Sequence, residues 1–325
     1  MKTKNILPLL IFSGIFLSPA WSAGWIDSTL FSPKLFIENR GQFDKAPYLK
    51  EFPEILFAVN HINTKIFFSS NKIAYTLHQN ERDEKAFKEF RKEESKKHSS
   101  GFENEEELKY EQELKSKVFK SHMAVVDMEW LNANANCKII AEDVAKEYFN
   151  YGMDKDIRQD INFVHGYKKI IYKNLYNGID VEYSFHPTTG IKYNIIVHPG
   201  ADVSKIKLKY SGAQSVSFDN ENNIVIKTSL GNIIDHAPIS FQDKNGEKIK
   251  SKFILKNNIL SFQIDEYDKS KTLIIDPWVS STLPTLDTAY EIAVDPAGNV
   301  FVYGDFNSQV VKYNSTGTQA WTFLS

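Results

Sequence analysis

Cysteine is almost absent: Cys137 is the only one in 325 residues. That excludes an intrachain disulfide framework and any metal or redox site built on two thiolates. An excess of either charge is also missing, since 39 Lys and Arg face 41 Asp and Glu for a formal charge of −2. The basic surplus that usually marks a nucleic-acid partner is therefore not there, and none is expected. Past the N-terminal run, no stretch approaches the ~20 consecutive apolar residues of a membrane-spanning helix. P-loop, dinucleotide fingerprint, G-x-S-x-G elbow and H-E-x-x-H are all lacking, so no cofactor is expected. What is present is a globular composition, 42% hydrophobic and 13% aromatic, with enough core formers to exclude wholesale disorder.

The N-terminus reads as an address. Lys2 and Lys4 precede the apolar run Ile6–Leu17, which Pro8, Ser13 and Gly14 interrupt, and small residues follow at Ser18, Ala20 and Ser22. The run is too short to span a bilayer comfortably and has the make-up of a secretory signal peptide. Residues 1–23 are expected to be that signal, with cleavage near Ala20–Ala23. No cysteine lies near the cleavage zone to take a lipoprotein anchor. The expectation is an exported protein, extracellular or at the cell surface, with no integral membrane span once the signal is removed.

Residues 24–80 begin a β-rich domain: Leu56–Val59, Lys65–Ser69 and Ile73–Leu77 are short apolar and aromatic runs between Asn/Ser turns. Composition then changes over residues 81–120, where 11 Lys/Arg accompany 12 Asp/Glu. Glu84/Lys88, Glu93/Lys97, Glu111/Lys115 and Glu113/Lys117 are i,i+4 pairs in the favourable order, so the local preference is helix. Phe87, Phe90, Leu108 and Leu114 give only a thin apolar stripe without sustained heptads. A solvated, partly helical or disordered insertion between strands is expected. Over residues 121–277 the β pattern returns, with period-two alternation in Ile191–Val197, Ile206–Tyr210 and Ile224–Lys227. One buried face and one wet face is the mark of an antiparallel sheet. Pro199-Gly200, Asp219-Asn220, Asn245-Gly246 and Asn257-Asn258 supply the turns.

Residues 278–325 have another texture. Tyr290–Val294, Val300–Tyr303, Val310–Tyr313 and Gly317–Phe323 alternate with Asp295-Pro-Ala-Gly-Asn299 and further turns, the grammar of one propeller blade. A lone blade leaves faces unburied. Either further blades follow Ser325 or these strands pack on the preceding domain, and the burial argument favours the first. The fold class expected is all-β: an antiparallel β-sandwich-like N-terminal domain with a charged helical insertion, followed by one propeller-type blade.

Few residues suggest chemistry. Eight histidines (61, 78, 98, 122, 165, 186, 198, 236) show no ligand spacing, so no metal site is expected. Asp180 and Glu182 share a strand face and could form the paired carboxylates that glycosidases require, although i,i+2 acids on a wet face are commonplace. Asp219-x-Glu221-x-Asn223 imitates the start of a calcium loop, but Ile224 and Leu230 stand where Gly and the closing acid belong; a polar hairpin turn fits better. Cys137 reads as an incidental thiol. Trp25, Trp130, Trp278 and Trp321 would stack on sugar rings if exposed, while most aromatics belong to the core.

Four motifs carry a resemblance. They are Phe36-Ile-Glu38-Asn39-Arg-Gly41-Gln42; Tyr172-Lys-Asn174-Leu175-Tyr-Asn-Gly178-Ile-Asp180; Pro199-Gly200-Ala-Asp with Ile206–Tyr210; and Tyr267-Asp268 through Asp276-Pro277. In this order they resemble the N-terminal domain of secreted Bacteroidota proteins with SBBP-type β-propeller repeats, with Asn177 where proline is usual. Asp295, Gly298 and Asn299 fall in the first blade. The resemblance implies a surface or extracellular protein, with propeller repeats and a type IX sorting or adhesion domain following this region. The 325 residues hold one blade, and the periplasm is the location expected only if the product is truncated without a sorting domain. The motif residues are expected to be structural. The function expected is non-enzymatic: adhesion, display or structural assembly. A carbohydrate-binding or carbohydrate-processing accessory is the second class, and the partners these readings imply are a cell-surface protein or a glycan.

Overall fold

The computed structural model describes residues 34–44, 52–61, 64–83, 85–86, 88–89, 92, 119–151, 161–187, 190–242, 246–281, 289–295, 297–304 and 309–324. The expected signal peptide, Trp25 and most of the charged window lie outside the described residues. In chain order the strands are β1 (Phe36–Glu38), β2 (Phe57–His61), β3 (Thr64–Phe68), β4 (Lys72–Arg82), β5 (Phe119–Trp130), β6 (Lys138–Tyr151) and β7 (Ile161–Tyr176). There follow β8 (Ile179–Phe185), β9 (Ile191–Val197), β10 (Leu208–Ser211), β11 (Ser215–Phe218), β12 (Ile224–Lys227), β13 (Asn232–Gln242) and β14 (Lys248–Ile249). The last seven are β15 (Ser251–Lys256), β16 (Ile259–Ile264), β17 (Leu273–Ser281), β18 (Ala289–Val294), β19 (Val300–Gly304), β20 (Gln309–Tyr313) and β21 (Gln319–Leu324). The chain is all-β, and its antiparallel sheet nearly closes into a barrel.

The long strand β7 organises that sheet. Along one edge it pairs β6; along the other its first half pairs β1 and its second half pairs β8. The sheet therefore divides there. One branch runs β1-β2-β3-β4-β5-β10-β16-β15, and the other runs β8-β9-β17-β13-β12-β11. Side chains from the two branches meet in one core, the sandwich-like arrangement that period-two alternation implies. Trp130 of β5 donates from Nε1 to the Tyr183 hydroxyl of β8 at 2.8 Å. Phe68 of β3 meets Tyr183 edge-on at 5.4 Å, and Phe36 of β1 lies 4.7 Å from Phe185 of β8. Burying such a ring removes it from water at a gain of about 2–3 kcal/mol, so these pairs dominate the packing.

The charged window is shorter at its base than its composition indicates. The β4–β5 ladder runs from Lys72↔Glu129 to Arg82↔Phe119, so Glu81, Arg82, Phe119 and Lys120 are strand. Cross-strand pairing has overridden local helix preference at those four positions. Asp83 then accepts at Oδ1 from the Lys85 and Ala86 amides, both at 3.0 Å, the geometry of a helix N-cap. Lys85, Ala86, Lys88, Glu89 and Lys92 are helical.

Strands β18 to β21 form a four-stranded antiparallel unit with a small core of Val302, Val311 and Tyr313. Its last strand pairs in parallel with β6, Trp321 opposite Tyr148 and Thr322 opposite Phe149. The blade is thus hydrogen-bonded to the preceding sheet. Among the described residues this is the one parallel pairing.

Candidate functional site

The first motif is a self-bonded turn. Asn39 accepts at Oδ1 from the Gly41 and Phe43 amides and donates to Asp44 and the Ile55 carbonyl. Gln42 accepts from the Arg40 amide and donates to the Glu38 carbonyl at 2.6 Å. Glu38 pairs with Arg40 at 2.7 Å and takes the His165 amide, which fastens the turn to β7.

The second motif builds a knot around Asp180. Asn174, in left-handed backbone at φ 59°, accepts the Gly178 amide and gives its own amide to Asp180 Oδ1 at 2.7 Å. Lys173 and His198 reach Asp180 Oδ2 at 2.9 and 3.0 Å. Tyr172 donates to the Ser69 carbonyl at 2.7 Å, linking β7 to the β3–β4 turn, and Leu175 is fully buried. Burial alone would raise the Asp180 pKa, but the Asn174 amide, Lys173 and His198 outweigh it and hold the carboxyl below 3.8. Glu182, on the same strand face, is occupied by Lys169 at 3.5 Å and Asn194 at 3.4 Å. Both acids are spent on strand-to-strand links and leave no acid–base pair facing a substrate.

This knot makes a pH-dependent prediction. A carboxyl held below 3.8 in the fold contributes stability above that value and loses it as the pH falls through the folded pKa. Asp180→Asn should cost about 1–3 kcal/mol at pH 7. In urea titrations the gap between wild type and variant should narrow at pH 3. An unchanged gap would show that the carboxylate charge is irrelevant there.

The third and fourth motifs meet. The Gly200 amide donates to the Lys269 carbonyl at 3.0 Å, beside the turn where Asp268 accepts the Ser270 amide and hydroxyl. Asp276 pairs with Lys192 at 2.7 Å on the outer face of β17, and Pro277 is buried.

Asp219 and Asp295 prove to be one device used twice. Asp219 Oδ1 accepts the Glu221 and Asn223 amides, and its Oδ2 takes the Asn223 side chain at 2.9 Å. Asp295 does the same with Ala297 and Asn299, the Asn299 side chain at 2.7 Å. The fourth residue is left-handed in each, Asn222 at φ 63° and Gly298 at φ 79°. These hydrogen bonds, led by those of Asn223 and Asn299, hold both carboxyls below 3.8. The shared spacing Asp-x-x-(Asn/Gly)-Asn was the signal that could have paired them from sequence.

Two clusters escaped sequence reasoning. Between the layers, Asp235 of β13 is fully buried and accepts from Tyr193 (2.9 and 2.7 Å) and Tyr210 (2.7 Å). Among the described residues no cation pairs with it. Burial pushes its pKa up to about 7, against the two tyrosine hydrogen bonds that favour the charged form. Burial, reinforced by Asp235, also raises Tyr75. An acid tuned to neutral pH suits proton transfer, but this one is sealed in the core and holds two tyrosine hydroxyls, so it ties β9, β10 and β13 together. An Asp in phase with Ile233 on a period-two strand was the available clue.

The second cluster lies outside. His236 of β13 and His186, just past β8, stack on Trp278 of β17 with centroids 3.5 and 4.2 Å away and planes 4° and 10° from parallel. At such distances two imidazoles cannot share one indole face without overlapping, so they cover opposite faces. Burial lowers the His236 pKa below 6.5, as does His186, while Asp219 and Glu221 oppose the shift. Trp278 therefore has no face for a sugar ring. Trp130 is buried, as a core aromatic, and Trp321 is half-buried against Phe301. Cys137 is half-buried and its thiol is held above 9.0 by burial, so it is a poor nucleophile.

Among the described residues no three His, Cys, Asp or Glu converge on a metal position, and no helix is long and apolar enough to cross a membrane. The fold and these clusters define an all-β scaffold whose motif residues make turns and links between strands. Residues 36–278, from the first residue of β1 into β17, match the model for a domain of unknown function, DUF7948, and the chain belongs to that family. The charged window falls inside the match and the blade outside it. Neither the curated proteins nor the solved structures contain a match to the chain.

Proposed function

We propose that this chain is a non-enzymatic scaffold of an exported protein, extracellular or at the cell surface, serving adhesion, display or structural assembly. In this reading the DUF7948 domain is the platform and the propeller-type blade is its cargo, as in the secreted Bacteroidota repeat proteins it resembles. The observation that carries it is the β6–β21 pairing, which fixes a blade to a domain whose Asp180, Glu182 and Asp276 are held in ion pairs. Such a construction holds a module at a fixed orientation. The test is fractionation of producing cells with N-terminal sequencing. The product should leave the cytoplasm with a new N-terminus between Ala20 and Gly24; a cytoplasmic product retaining Met1 would overturn the reading. A carbohydrate-binding role is the second reading, and one face of the sheet favours it.

A further inference from the structure

We propose that the outer face of β10, β16 and β15 binds an acidic polysaccharide. The three strands contain no Asp or Glu, and their charged residues are Lys209, Lys252 and Lys256. Leu208, Tyr210, Phe253 and Leu260 fill the core side, so by strand alternation all three lysines stand on the opposite face, and all are exposed. Lys209 lies opposite Ile259 and Ile259 opposite Lys256, which puts the two ammonium groups in one row across the sheet. Lys205 and Lys207 prolong the line before β10, both exposed.

None of these five lysines makes an ion pair among the described residues, unlike Lys169, Lys173 and Lys192 on the other branch. The bordering acids are Asp127 and Glu129 of β5, opposite Ser211 and Lys209, Asp202 beside Lys205, and Asp265 and Glu266 after β16. The chain is close to neutral overall, so this concentration of one sign is local. Blunting of an edge strand explains lysines on β15, which pairs only with β16, but not Lys209 on an interior strand paired on both sides.

Geometry selects the polymer. Strand spacing sets Lys256 and Lys209 roughly 10 Å apart, and Lys252 and Lys256 roughly 13 Å apart, a flat grid suited to carboxylates repeating along an extended chain. Ser211, Ser261 and Gln263 lie on the same face and suit sugar hydroxyls. The face carries no aromatic side chain for stacking bases, which disfavours single-stranded nucleic acid. It is a sheet surface, without the amphipathic helix that lies in a lipid interface. The export reading bears only on where such a polymer is met.

The test uses the full chain and polygalacturonate in 50 mM salt, with pullulan as the neutral polymer. Wild type should bind polygalacturonate and not pullulan, and binding should weaken as salt rises. Lys209→Glu/Lys252→Glu/Lys256→Glu should weaken it at least ~10-fold, while Lys138→Glu/Lys146→Glu/Lys168→Glu on β6 and β7 should not. Should the first triple variant fail to fold, hydrogen exchange on wild type decides: polygalacturonate should protect β10, β15 and β16. The proposal falls if wild type does not bind, if protection lies elsewhere, or if the triple variant binds as wild type does. Equal or tighter binding to phosphatidylglycerol vesicles or a single-stranded oligonucleotide would also overturn it. Binding with a cytoplasmic product would retain this face and remove only the export reading.

Discussion

Replacing Asp235 with alanine should destabilise the domain by about 3 kcal/mol or more. It strands the Tyr193 and Tyr210 hydroxyls in a dry core and leaves a void beside them. Asparagine keeps the volume and one carbonyl acceptor, so Asp235→Asn should cost about 1 kcal/mol at pH 5. The two differ most in their pH dependence. Because the folded pKa of about 7 lies above 3.8, the fold holds this proton more tightly than the unfolded chain does. Stability from this group is therefore full below pH 3.8 and drains away as the pH rises through about 7. The whole span amounts to about 4 kcal/mol. Asp235→Asn should overtake wild type in urea titrations at about pH 6 and stay ahead above it. Parallel pH curves for the two proteins would mean that Asp235 is ionised in the fold at every pH tested.

Gly190→Ala, in the β8–β9 connection, should be strongly destabilising. Gly190 has φ +85°, and a Cβ there would run into the Val279 carbonyl oxygen and approach Ser280 Cα at 3.1 Å. Left-handed strain adds about 1–2 kcal/mol to the displacement of backbone on β17, for a total of about 3 kcal/mol or more. Gly200 is the control: φ is +80° and nothing lies within 4 Å of its Cβ position. Gly200→Ala should cost only the strain, about 1–2 kcal/mol. Thermal melts should separate the two, with a fall of roughly 10 °C against roughly 4 °C. Equal falls would place the cost in the turn conformation alone.

These two glycines show where local reading stops. Pro199-Gly200 is legible because its role, a turn, is complete within a few neighbouring residues. Gly190 owes its importance to β17, whose Val279 is 89 residues away in sequence. Strand β6 shows the same limit for an entire element. Its Ala, Glu and Lys favour helix, Asp143 has φ 58°, and its register with β7 shifts between Val144 and Tyr148, so no period of two survives. It is a strand because β7 and β21 flank it.

The sequence by itself determined the all-β class, the stretches that alternate, and the turns at Asp219 and Asp295, because period-two burial and Asx hydrogen bonding are written in adjacent residues. It also marked the motif residues, without their partners. Tertiary structure alone decided that β7 divides one sheet into two layers, that Asp180 and Glu182 are spent on lysines, and that the blade joins β6. It alone sealed Asp235 among tyrosines, covered Trp278 with two imidazoles and gathered unpaired lysines on one face. Each of these outcomes depends on residues tens of positions apart being brought within a few ångströms by strand register, and register is set by the packing of the whole core.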